Sequence, residues 1–324
     1  MAVHSASAFA HCFPFDPAHG MGLTELLAVA PPEPPEGFAD FWSARRRRAM
    51  AVDPAPRLAD RRRLDDLGLD LFDCAYTSTG GVTIHGWFLR PATGPVTRGL
   101  VIGHGYGGRD GPDLDMTLPE TALLFPCLRG LSRSALPGMS SDPQWHVLHD
   151  IHDRDRYVLG GCVDDAWLAV SALLALEPVV AGRIGWSGRS FGGGIGALML
   201  PWEERVDRAE LVWPTFGHHA LRLGLPMTGS GAAVAAYEAR HGDVMSTLAW
   251  YDAAAAARFV RRPVLAGLSL FDPAVPPPGQ FAIYNALAGD KELVTFAAGH
   301  FDYREESAQE SRRLGRARSF FGDP

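Results

Sequence analysis

The chain has 324 residues, enough for one large α/β domain or two of ordinary size. With 47% hydrophobic and 21% charged residues it can bury a large core, which excludes a disordered or collagen-like protein. Thirty Lys and Arg against 37 Asp and Glu leave a net charge of −7, so neither nucleic acid nor an anionic membrane is an expected partner, and small-molecule chemistry is.

In chain order, Met1 to Ala10 carries no Lys or Arg and only a weak apolar run, so it does not read as a secretory signal. No later stretch reaches the ~18 uninterrupted apolar residues of a membrane span. Cys12, Cys74, Cys127 and Cys162 lie far apart with no CxxC pair, which argues against a zinc site or a disulfide framework and for a reducing, cytoplasmic setting. Residues 30–37, APPEPPEG, lack the N–H groups and the φ freedom that regular structure needs and read as an extended surface segment. Phe38, Phe41 and Trp42 then recur at helical spacing, and Arg45 to Arg48 read as a solvated or ion-paired face of that helix.

A strand pair follows, Leu71 to Thr79 and Val82 to Leu89, joined by Gly80-Gly81, whose positive φ suits a tight turn. Beyond it, short apolar runs alternate with longer helical patterns: Leu100 to Ile102, Ala122 to Phe125, Arg183 to Trp186, Glu210 to Trp213, Val264 to Ser269 and Leu293 to Phe296. Between them, Val163 to Leu176 has an apolar face at helical period, with Asp164 and Asp165 placed where a first turn favours negative charge. This alternation predicts a mostly parallel central sheet with helices on both faces. His146, His149, Asp150, His152 and Asp153 are residue types that suit a divalent metal, but their spacing matches no known zinc site. Caps are the plainer reading, and no metal or cofactor is predicted.

The segment Arg183 to Leu200 carries the chemistry. A short strand runs into Gly188-Arg189-Ser190-Phe191-Gly192 and an apolar helix, the G-x-S-x-G pattern in its strand–turn–helix setting. A nucleophile exposed on so sharp a turn leaves no room for a Cβ two residues before or after it, and glycine stands at both places. The helix beginning after Ser190 aims free N–H groups at the place where an oxyanion forms. In α/β hydrolases the acid and then the base follow the nucleophile after late strands. Here Asp272 follows Val264 to Ser269, and His300 follows Leu293 to Phe296. His300 is the predicted general base, oriented by Asp272. The loop His104-Gly105-Tyr106-Gly107-Gly108 after an early strand is the second candidate oxyanion donor, so the N–H groups of Tyr106 and Phe191 are the predicted hole. Trp213, Phe216 and Tyr251 are candidate pocket residues, although each also suits the core.

These residues resemble the acetyl xylan esterase / cephalosporin C deacetylase group of α/β hydrolases, carbohydrate esterase family 7. The resemblance runs from about Phe38 to Tyr303. It is carried by FADFW, HGYGG at 104–108, LRG at 128–130, DRDRYVLGGCVDDAWLAVSALLAL at 153–176, GRSFGGG at 188–194 and the stretch 251–300 containing FDPAVPP and YNALAGDKE. It implies the triad Ser190, Asp272 and His300, an oxyanion role for Tyr106, deacetylation of small acetylated substrates, and a homo-oligomer, hexameric in the family. Two departures stand out. The family usually has Gln after the serine, and Phe191 here places an aromatic ring where that polar pocket edge would be; Leu131-Ser132 replaces the end of the RGQG motif.

The expectation is therefore an α/β-hydrolase fold, with an N-terminal extension over 1–37 and a single catalytic domain over 38–324, because strands and site residues spread across that whole length. The expected activity is that of a serine esterase releasing small acyl groups, acetyl above all, through an acyl-enzyme. Hydrolysis of another ester, lactone or peptide bond is the alternative on the same fold, and a non-catalytic binding module is the alternative of a different class.

Overall fold

The computed structural model describes residues 9–322, so most of the reading of Met1 to Ala10 falls outside the described residues. A nine-stranded sheet is formed by β1 (Arg57–Leu64), β2 (Leu69–Thr77), β3 (Thr83–Pro91), β4 (Arg98–Gly103), β5 (Thr121–Pro126), β6 (Ile184–Arg189), β7 (Val206–Val212), β8 (Val264–Ser269) and β9 (Lys291–Phe296). Their order is β1-β2-β3-β5-β4-β6-β7-β8-β9, antiparallel from β1 to β5 and parallel from β5 to β9. The hairpin turn is as expected, with Gly80 and Gly81 at φ of 73° and 72°. Strand β1 has no counterpart in the sequence reading. Its sequence, RLADRRRL, is exposed nearly throughout on the sheet edge, where no apolar alternation is required and charge discourages further pairing.

The helices that frame the site are α1 (Phe38–Met50), α2 (Val158–Leu176), α3 (Phe191–Met199), α4 (Gly229–His241), α5 (Pro277–Ala286) and α6 (Glu306–Gly322). Strand side chains alternate between two cores, as a period of two requires. Val101, Ala122 and Leu124 face the larger core with Leu168, Ile195 and Leu198 of α2 and α3. Leu100, Ile102, Leu123 and Phe125 face a smaller one closed by Ala317, Phe320 and Phe321 of α6. Helices thus cover both faces unequally. Helix α2 is apolar and long enough to cross a membrane, yet 15 of its 19 residues are buried inside the fold.

The helix predicted from Val163 begins five residues earlier, at Val158, which corrects the role given to Asp164 and Asp165. They lie in the second turn, buried, and bind arginines rather than capping a dipole. Arg45 grips Asp164 with both Nε and Nη2 at 2.9 Å, while Arg129 reaches Asp165 through Nε at 3.0 Å and its own backbone N–H at 2.9 Å. Gly160 and Gly161 make the space: a Cβ there would lie 2.5 Å from Arg45 Cζ or 2.6 Å from Arg129 Nη1. The arginine run is therefore divided. Arg45 is buried, Arg46 pairs with the buried Glu203, and Arg47 and Arg48 are exposed.

The N-terminal segment lies against the loop that follows β8, helix α5 and the segment that precedes β8. The Asp272 N–H donates to Pro17 O at 3.1 Å, Asn285 Nδ2 donates to Leu26 O and Val29 O, and Arg258 reaches the carbonyls of Pro31 and Pro32 in the proline-rich stretch.

Candidate active site

Strand β6 ends at Arg189, and the chain turns at Ser190 with φ 54° and ψ −111°, a strained backbone for a residue with a Cβ, costing about 1–3 kcal/mol. Its N–H donates to Val212 O at 2.7 Å, and its carbonyl accepts from Gly194 N at 3.0 Å and Thr215 N at 3.2 Å. Both flanking glycines are needed for the turn. A Cβ at 188 would lie 2.2 Å from Gly192 O, and one at 192 would lie 2.7 Å from Gly103 C.

The loop after β9 brings His300 over the serine, with Nε2 2.9 Å from Ser190 Oγ and Nδ1 2.8 Å from Asp272 Oδ2. Asp272 is fully buried. Its Oδ1 accepts from Ala274 N at 2.9 Å and Val275 N at 2.8 Å, while Oδ2 also accepts from Gln280 Nε2 at 3.1 Å and Ser269 Oγ at 3.2 Å. Four neutral donors thus hold the carboxylate in place and leave its charge facing the imidazole. Burial lowers the His300 pKa, but the charge and hydrogen bond of Asp272 outweigh it, so the imidazole titrates above its ordinary range. The Trp213 ring packs 5.3 Å from the imidazole and is itself covered by the Arg189 guanidinium, 4.9 Å from its centroid.

A cavity of about 360 Å³ opens over Ser190 and His300, with Gly105, Tyr106, Trp213 and Val275 among its walls. The glycine-rich loop lies directly against the nucleophile, since a Cβ on Gly105 would sit 4.0 Å from Ser190 Cβ. Phe191 is the first residue of α3, so its N–H has no acceptor within the helix and is free to meet an oxyanion. Ser190, His300, Asp272, Tyr106 and Trp213 are thus brought together.

The other aromatic candidates are not. The Phe191 ring is fully buried, stacked 4.3 Å from Tyr106, so it forms no edge of the pocket and the expected loss of a polar wall does not arise. Phe216 is 2% exposed and packs edge-on behind that pair, with ring centroids 6.0 Å from Phe191, beside a separate small cavity. Tyr251 lies in the core between Trp42 and Tyr157, its hydroxyl donating to Arg154 O at 2.5 Å. Each belongs to the packing that supports the site.

Two residues that matter were missed or misread. His146, first weighed with the metal-type cluster, is buried. Its Nε2–H donates to Arg129 O at 3.0 Å and its Nδ1 accepts from Tyr106 OH at 3.0 Å, so it fixes the loop that carries Tyr106. Burial pulls its pKa down to about 4, so it holds this role as a neutral ring. Among the described residues no His, Cys, Asp and Glu group is arranged to hold a metal ion. Gln280, eight residues after Asp272 in the proline-rich turn into α5, buttresses the acid; only its position so soon after the aspartate hinted at this.

Comparison with known proteins supplies the fold and the family. The crystal structures most alike include the acetyl xylan esterase from Paenibacillus sp. R4, with TM-score 0.77, 23% identity, and coverage of 91% of this chain and 99% of that one. Acetyl xylan esterase 1 from Thermoanaerobacterium sp. JW/SL YS485 aligns at TM-score 0.76 and 21% identity over 93% of this chain and 98% of its own. An acylaminoacyl peptidase from Pyrococcus horikoshii shares the fold at TM-score 0.59 and 15% identity, over 84% of this chain and 42% of the peptidase. At such identities the structures establish the α/β-hydrolase fold. The family follows from the sequence model described as Acetyl xylan esterase (AXE1), which matches residues 18–313 and so spans the nucleophile turn, the acid and the base together. This chain, a carboxylic ester hydrolase, belongs to the acetyl xylan esterase family.

Proposed function

We propose that the enzyme removes acetyl groups from acetylated carbohydrates or similar small neutral substrates by way of an acyl-enzyme at Ser190. The observation that carries this reading is the hydrogen-bonded chain Ser190–His300–Asp272 opening into one cavity of about 360 Å³. Ser190 Oγ adds to the acetyl carbonyl as His300 Nε2 takes its proton. The negative charge that develops on the carbonyl oxygen is met by the N–H groups of Phe191 and Tyr106. Collapse expels the sugar hydroxyl, protonated by His300, and leaves acetyl on Ser190. Water, deprotonated by the same imidazole, then releases acetate. Asp272 keeps the Nδ1–H tautomer and stabilises the transient imidazolium.

Sugar esters and cephalosporin C are both substrates of this class on the family resemblance. A homo-oligomer, hexameric in the family, is proposed on the same resemblance, and a cytoplasmic setting on the scattered cysteines, of which Cys74, Cys127 and Cys162 are buried free thiols. The deciding experiment is hydrolysis of p-nitrophenyl esters from acetyl to octanoyl, with acetylated sugars alongside. A burst with p-nitrophenyl acetate, a rate falling with chain length, and loss of at least ~10³-fold in Ser190→Ala are expected. A flat or rising chain-length profile refutes the deacetylase reading.

A further inference from the structure

A second groove lies beside the catalytic cavity. One wall of the cavity is Pro143, the first residue of a helical turn (Pro143–His146), and another is Gly229 and Ser230 at the start of α4. The residues that follow on these two elements line the second groove, of about 390 Å³, with Gln144, Trp145, Leu148, Tyr237 and His241 among its walls. Ser230, Ala233, Tyr237 and His241 recur every three or four residues and so share one face of α4. That stripe starts inside the catalytic cavity and extends along the helix for about 16 Å at 1.5 Å per residue.

The groove is aromatic and open. Trp145 is 66% exposed, and the rings of Tyr237 and His241 lie 4.3 Å apart at 34°. Trp145 is not on a slack loop. Asp142 caps its turn by accepting from Gln144 N at 2.8 Å, and the next residue, His146, is anchored to Tyr106 and Arg129 at 3.0 Å each. The indole is thus held out to solvent by a turn pinned to the oxyanion loop.

We propose that this groove is a glycan subsite, in which Trp145 and Tyr237 stack on sugar rings beyond the acetylated one. The C–H-lined face of a pyranose complements the negative face of an aromatic ring, and Gln144, Arg240 and His241 supply hydrogen bonds to hydroxyl groups. The occupant is the backbone of an acetylated oligosaccharide, because the groove and the cavity that takes the ester are flanked by the same two elements, the turn at Pro143–His146 and α4. The proposal rests on the carbohydrate deacetylase reading and adds that the enzyme selects chains over single sugars.

Steady-state kinetics on acetylated xylotetraose, acetylated xylose and p-nitrophenyl acetate test it, with Trp145→Ala, Trp145→Phe and Tyr237→Ala. Trp145→Ala is expected to raise KM for the tetraose tenfold or more with kcat within twofold, and to leave the two small substrates unchanged. Trp145→Phe should recover most of the loss, and Tyr237→Ala should act in the same direction more weakly. Calorimetry with unacetylated xylotetraose, which needs no hydrolysis, should show binding to the wild type and none to Trp145→Ala. An unchanged KM for the tetraose in Trp145→Ala overturns the proposal. So does sedimentation in which Trp145→Ala only breaks an oligomer, because the groove is then a contact between copies. Should the wild type cleave p-nitrophenyl acetate but no acetylated sugar, the carbohydrate reading fails, and calorimetry alone decides the subsite: binding that depends on Trp145 supports it, and absence of binding refutes it.

Discussion

Asp165 and Asp272 are both fully buried, yet their partners differ in kind. Asp165 receives the Arg129 guanidinium, the Arg129 backbone N–H and the Ser78 hydroxyl. Burial alone would lower the Arg129 pKa, but Asp165 raises it well above the ordinary value, so the guanidinium stays charged at every working pH. The Asp272 carboxylate is held by neutral donors, two backbone N–H groups, an amide and a hydroxyl, and faces a histidine that gains its positive charge only during reaction. A permanent cation cancels a buried carboxylate and ties two elements together. Neutral donors preserve its charge for use, at a standing cost in stability.

The largest expected effect separates the two directly. Asp272→Asn should lose about 10⁴-fold in kcat while keeping its unfolding midpoint, because the imidazole loses its tautomer and its counter-charge. Asp165→Asn should do the reverse: it strands a buried guanidinium and costs about 3–5 kcal/mol of stability, while the folded protein keeps most of its kcat. Urea unfolding and hydrolysis of p-nitrophenyl acetate on both variants make the test, and matching losses of kcat would erase the distinction.

Next comes Gln280→Leu, which removes a donor from Asp272 Oδ2 and the acceptor of Ser269 N. A hydrogen bond to a charged group is worth about 1.5–3 kcal/mol, so kcat should fall roughly ten- to a hundredfold with KM little changed. The pH dependence is a smaller effect with a definite sign. His300 must be neutral to accept the serine proton, so activity is lost as pH falls through its pKa. Because that pKa lies above the ordinary 6.5, the acid limb of kcat/KM should lie above pH 6.5. In Asp272→Asn burial and the nearby Arg189 charge remain to act on the ring, both lowering its pKa, so the limb of the residual activity should move below that value. The smallest catalytic effect is expected from Phe191→Gln. The backbone N–H is retained, so kcat should barely change, but an amide buried against Tyr106 and Phe216 should cost about 1–3 kcal/mol in thermal or urea unfolding.

The sequence disclosed those parts of the molecule where backbone geometry restricts residue choice. The turn at Ser190 tolerates only glycine at 188 and 192, and the order of Ser190, Asp272 and His300 along the chain maps onto strand ends. Residues whose role depends on what lies across the fold were not legible. Nothing in RLADRRRL marks an edge strand, because an exposed edge needs no apolar period. Asp164 and Asp165 resemble helix-start acids until Arg45 and Arg129 arrive from 119 and 36 residues away. Phe216 and Tyr251 are aromatic and sit near the site in sequence terms, but in three dimensions aromatic rings mostly fill the core, and these two do.

The bond from the Asp272 N–H to Pro17 O has a temporal meaning as well as a spatial one. It joins the loop bearing the acid to a segment 255 residues earlier, and the base at His300 comes 110 residues after Ser190. A chain emerging from the ribosome presents Ser190 early, as an isolated hydroxyl without base or acid. Its first residues must wait, undocked, for the loop after β8 before Pro17 finds its partner. Contacts so distant in sequence form late and slowly. Hydrolytic competence therefore arrives only once Asp272 and His300 have emerged and folded onto the nucleophile turn, and a product of synthesis that stops short of His300 lacks its general base.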